Sequence, residues 1–128
     1  MPQFGMVVYS PAPADPMAMS PEHLARLNAY PDEAKALRGK VLGGTYFAKE
    51  RGFALNPSTE AMTVQGAQVK AGTLTGSDLV ISAFYVLAAP DIDVAVAIAK
   101  LHPAVDDGAI EIHPVFVPAG QDQDDYAD

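Results

Sequence analysis

Apolar residues along the chain repeat with two periods, and the period that holds locally predicts each element. Gln3-Phe4-Gly5-Met6-Val7-Val8-Tyr9 is an apolar run with aromatic and β-branched members that stops at a proline cluster, the pattern of a buried strand. Residues 10–19 read as loop. From 21 to about 39 the apolar positions Leu24, Leu27, Pro31, Ala34 and Leu37 recur every three or four residues, so one helical face runs through the segment. Ser20 is placed to cap that helix, Pro21 suits its first position, and Glu22 complements the positive end of the dipole. Pro31 lacks the N–H that would bond the Leu27 carbonyl and predicts a kink, while Gly39 fits a carboxy-terminal cap.

A second strand is expected over 41–47, close-packed or bulged at Gly43-Gly44. Residues 48–78 are rich in Gly, Pro, Ser and Thr, but 61–65 and 68–70 are strand-like and flank Gly66-Ala67, which predicts a hairpin. Residues 79–88 are apolar almost throughout, as in a central strand covered on both faces. Asp91 is a good N-cap for a helix over 92–101, whose many apolar positions predict cover on more than one side. Residues 109–117 close the fold as a strand in which Ile110 and Ile112 alternate with Glu111 and His113, and Pro114 confines it to an edge or a bulge.

This order predicts an α+β fold, a ferredoxin-like β-α-β-β-α-β sandwich with a β-hairpin insert and both helices on one face of an antiparallel sheet. Such a sheet leaves its other face bare. Because the strands are apolar on both sides, that face is expected to pack against a second copy in a two-fold homodimer.

The chain has 128 residues, 49% hydrophobic and 19% charged, enough for one core, so residues 1–119 read as a single domain. No apolar run approaches the roughly 20 residues needed to span a bilayer, and no signal-like segment opens the chain; a cytoplasmic, membrane-free protein is expected. The chain has no cysteine, which excludes disulfides and thiolate ligands. A net charge of −8 argues against a nucleic-acid partner. Asp122, Asp124, Asp125 and Asp128 crowd the end, so residues 120–128 read as an acidic, disordered tail.

Candidate chemistry centres on His23, held in the first turn of a well-capped helix; an imidazole's ordinary pKa of about 6.5 suits general acid–base work at neutral pH. Asp32 lies nine residues on, about two and a half turns away and on the opposite face of a straight helix, so only a kink at Pro31, or a residue from a partner subunit, could supply a carboxylate to orient His23. Asp78 and the Asp106-Asp107 pair are other acidic candidates. Tyr9, Tyr46 and Tyr85 can line a pocket between sheet and helices, with His102 as a further polar group and Met17 and Met19 as flexible fillers at its mouth. The spacings of His23, His102 and His113 match no compact metal-ligand pattern, and Gly43-Gly44 lacks the context of a phosphate-binding loop. No metal or cofactor is expected.

Met19-Ser20-Pro21-Glu22, Gly39-Lys40-Val41-Leu42-Gly43-Gly44, Phe84-Tyr85, Pro90-Asp91-Ile92-Asp93 and Gly108-Ala109-Ile110-Glu111-Ile112 together resemble the YCII-related proteins, in particular their DGPF-domain branch, in order and spacing. Within that likeness His23-Leu24-Ala25-Arg26-Leu27, followed by Asp32-Glu33, is similar to the helix of the smaller YCII proteins that carries a suspected active-site histidine. The resemblance implies a dimeric α+β barrel and a regulatory link to alternative sigma factors. Ala71-Gly72-Thr73-Leu74 stands where that branch has Asp-Gly-Pro-Phe, so only the glycine is kept, and His113-Pro114 stands where Arg-Pro is usual. Two functions follow. One is an accessory or regulatory protein that binds a small, partly apolar molecule; the other is a small-molecule enzyme using His23 for proton transfer or elimination.

Overall fold

Phe4, Met6 and Val8 are buried and the residues between them are half covered, so the first strand turns one face to a core and the other outward. The computed structural model describes residues 1–45 and 54–118. In chain order these form β1 (Gln3–Pro11), α1 (Pro21–Ala36), β2 (Lys40–Gly44), β3 (Met62–Gln65), β4 (Gln68–Ala71), β5 (Leu79–Ala88), α2 (Ile92–Ala99) and β6 (Ala109–Pro114), with short 3₁₀ turns between some of them. The four long-range strands pair antiparallel in the order β2-β5-β1-β6. The molecule is therefore α+β, and the strand order is consistent with a ferredoxin-like arrangement. The inward residues of β1 and β5 form one cluster with Tyr30 and Ala34 of α1 and Ala95, Ile98 and Ala99 of α2, so both helices cover the same side of the sheet.

Local chemistry explains most boundaries. Ser20 and Asp91 cap α1 and α2, accepting the backbone N–H of His23 and of Val94. The hairpin β3–β4 forms at the expected place, with Gly66 supplying a positive φ of 61° in its two-residue turn. The expected irregularity at Gly43-Gly44 is a register shift between Val41 and Gly43, and Gly44, at φ 101°, sits so close to the Phe84 carbonyl that a Cβ has no room there. Strand β6 lies at the sheet edge, where Pro114 needs no ladder partner.

Other boundaries differ from expectation. α1 ends at Ala36, earlier than the sequence pattern suggests. Its stop is a Schellman closure in which the Gly39 and Arg38 N–H groups bond the carbonyls of Ala34 and Lys35, and the left-handed position is filled by Arg38 at φ 69°. Gly39 is there for space, since a Cβ would collide with the Ile98 side chain. α2 is shorter than 92–101 and covered on one side only, with Ile92 and Val96 exposed. Strand β6 stops at Pro114. The expected end of β2 at 47, and the tail at 120–128, lie outside the described residues.

A β-bulge in β5 sets what each side of the sheet presents. Val8 pairs with Ala83 and Tyr9 with Ile81, leaving Ser82 as the extra residue. Val80 and Ser82 are buried on one side of the bulge, Ala83, Tyr85 and Leu87 on the other, while Ile81 and Phe84 face outward, each just under half exposed. That outer face continues through Val7, the register partner of Phe84, and the half-covered Val86.

Candidate functional site

Helical spacing places His23, Leu27, Tyr30 and Ala34 on one stripe of α1, and that stripe faces the sheet: Tyr30 and Ala34 are fully buried, His23 and Leu27 half buried. The imidazole of His23 thus closes a narrow crevice whose polar walls are Ser10, Ser82, Tyr85 and His102 and whose apolar side is Met19 and Leu27. Its free space is about 10 Å³, enough for one water-sized group.

His102 forms the floor and is 2% exposed. It caps the turn that follows α2: the Ala104 N–H donates to its Nδ1 at 3.1 Å. That bond requires a lone pair on Nδ1, so the proton sits on Nε2, which donates to the Tyr85 hydroxyl oxygen at 3.2 Å. Nearby, Thr45 Oγ1 donates to the Phe84 carbonyl at 3.2 Å. Burial pulls the His102 pKa down to about 4, helped by the charges of His23 and Arg26, and burial pushes that of Tyr85 up to about 12, partly opposed by Thr45. Both groups are neutral at pH 7.

Tyr30 packs edge-on to His102 with ring centroids 4.9 Å apart and donates its hydroxyl to the Ile98 carbonyl at 2.8 Å. Burial raises its pKa beyond the usual phenol range. On the opposite wall Ser82 Oγ donates to the Val8 carbonyl at 3.4 Å, which leaves Ser10 as donor in the 2.8 Å pair the two hydroxyls form. Every polar group of the walls is thus engaged within the fold. His23 differs: its backbone N–H is capped, yet its ring makes no hydrogen bond among the described residues.

Of the residues singled out from sequence, His23, Tyr85 and His102 converge here. Asp32 is exposed and does not line the crevice, and Asp78 is exposed in the approach to β5, where its carbonyl accepts the Ala12 N–H. Tyr9 faces the other side of the sheet and donates to Glu111 at 2.9 Å, which raises its pKa. Tyr46 lies outside the described residues. Asp106 is held at 2.6 Å by Arg26, on a surface where such a pair contributes little stability. His113 lies 3.5 Å from Glu111 on the outer face. No group of three His, Asp or Glu side chains among the described residues is arranged to hold a metal ion. Ser10, Ser82 and Tyr30 had no place among the candidates; the signal for Tyr30 was its spacing, three residues after Leu27 and four before Ala34.

A family model of the YCII-related domain matches residues 6–118, which includes both helices and all the crevice residues. The chain belongs to the YCII-related family. No curated protein gives a significant match. In this YCII-related domain the first-turn histidine of α1 lies over a buried Tyr–His pair, and no helix among the described residues is long and apolar enough to cross a membrane.

Proposed function

We propose that this YCII-related protein binds a small, partly apolar molecule by admitting one of its polar groups to the crevice, where His23 exchanges a hydrogen bond or a proton with it. One observation carries this reading: of the two imidazoles at the crevice, His102 is locked as a neutral donor to Tyr85, whereas the half-buried His23 ring has no partner among the described residues. A ligand hydroxyl or carbonyl would satisfy it, and Met19 and Leu27 would receive the apolar remainder. Among the described residues no carboxylate lines the crevice to steady an imidazolium, which favours binding without turnover, the accessory reading, over general acid–base catalysis. As a second part of the proposal, the bare apolar sheet face around Val7, Phe84 and Val86 pairs with a second copy.

The test is a set of small aryl alcohols and ketones screened by ligand-observed NMR against wild type and His23→Ala. Compounds that bind wild type are expected to lose at least about tenfold in affinity in the variant, while the free variant loses under about 1 kcal/mol of stability, as befits a half-exposed side chain. Binders unaffected by the substitution would move the site elsewhere. Conversion of a bound compound, seen in the same spectra and lost in the variant, would replace the accessory reading with catalysis.

A further inference from the structure

A cavity lies on the far side of the sheet from His23. It encloses about 580 Å³, within the roughly 300–1,000 Å³ usual for small-molecule sites. Tyr9, Leu79 and Ile81 of the sheet line one side, and Met62 with Leu74 line the hairpin side. The walls are tied together: the Leu55 N–H bonds the Ser82 carbonyl at 3.0 Å, the Ser58 N–H the Pro13 carbonyl at 2.8 Å, and Thr63 Oγ1 donates to the Gly72 carbonyl at 2.8 Å. The cleft is therefore preformed by backbone cross-links.

Its charge is one-sided. Among the described residues no Lys, Arg or His lines it, Glu60 lies in its wall, and the hydroxyl of Tyr9, another lining residue, is already committed to Glu111. Glu60 accepts one hydrogen bond from Asn56 at 3.2 Å, which leaves acceptor capacity on the carboxylate. An anionic ligand would lose water and meet the Glu60 carboxylate, whereas an ammonium group would find a partner in it. We infer that this cleft is a second ligand site, distinct from the His23 crevice, for a hydrophobic amine whose apolar body rests on Leu79, Ile81 and Leu74 and whose cationic end reaches Glu60.

The probes are 1-naphthylmethylamine and 1-naphthoate, matched in shape and opposite in charge, titrated into the full chain by calorimetry and by methyl NMR. The amine is expected to saturate at one per chain, to shift the Ile81 and Met62 methyl signals, and to bind at least about tenfold tighter than naphthoate. Glu60→Lys should invert that preference, Leu74→Asn should weaken the amine, and His23→Ala should leave it unchanged. Equal binding of the two probes, an effect of His23→Ala in place of the two cleft variants, or no saturable binding would each overturn the inference.

Discussion

His102 stands in a place that only an uncharged imidazole can hold, and that makes stability depend on pH. The folded pKa is about 4 against about 6.5 for an unfolded histidine. Above pH 6.5 both states are neutral at this residue and folding suffers no penalty. Between 6.5 and 4 the unfolded chain takes up the proton and the folded one does not, so stability falls, and below 4 the fall levels off at about 3 kcal/mol. The groups facing the ring are Tyr30, Tyr85, His23 and Arg26, none of them a carboxylate that would offset the loss. His102→Asn keeps an acceptor for the Ala104 N–H and removes the titration. Denaturant melts from pH 7.5 to 4 should show a flatter decline for the variant than for wild type; parallel curves would mean that other groups dominate. At this scale the sequence was informative about His23, because Ser20 and Pro21 fix its turn, and about Tyr85, because its strand is unmistakable. It was uninformative about the partnership with His102, since the two ends of that hydrogen bond are 17 residues apart and separated by a whole helix.

Among the elements, α1 carries the clearest uncompensated strain. Arg38 occupies a left-handed conformation, φ 69°, that costs a non-glycine residue roughly 1–2 kcal/mol, part of which glycine would return as unfolded-chain entropy. Arg38→Gly should therefore stabilise the protein by about 0.5–1 kcal/mol, read as a higher urea midpoint with unchanged slope; a lower midpoint would show that the Arg38 side chain does more than fill the position. The reason the helix end was misplaced is the same: glycine is the usual left-handed residue, and here the chain uses Gly39 one step later, for clearance from Ile98. Strands were easier. The apolar continuity of β5, the Gly66 turn of the hairpin and the edge position forced by Pro114 each rest on a local rule that tertiary packing had no cause to override.

For the molecule as a whole, the proposed pairing of two copies makes a direct expectation. Wild type should scatter light as a dimer at micromolar concentration, and Phe84→Glu, which places a charge in the middle of the outer face without touching the core, should give a folded monomer. A wild-type monomer, or a dimer that survives the substitution, would remove that face as the interface. The cleft beside the hairpin was beyond sequence reasoning, because its walls come from four separate stretches that only the cross-links at Leu55, Ser58 and Thr63 bring together. The crevice was half legible: its lid and floor carry histidines and Tyr85 stands in one wall, whereas Ser10 and Ser82 carry no signal of their own.

The bulge at Ser82 puts the two chambers of this protein in antiphase along one strand. Before it the even-numbered Val80 and Ser82 are buried and Ile81 turns out to the cleft; after it the buried parity is odd, through Ala83, Tyr85 and Leu87. One residue of slack therefore separates the serine wall of the crevice from the apolar wall of the cleft. A strand with period two cannot slip by a single position on one side without exchanging the two faces there. Removing the extra residue Ser82 avoids that exchange: Ile81 would stay opposite Tyr9 at the cleft, in plain alternation with Ala83, and the crevice would lose one of its two serines.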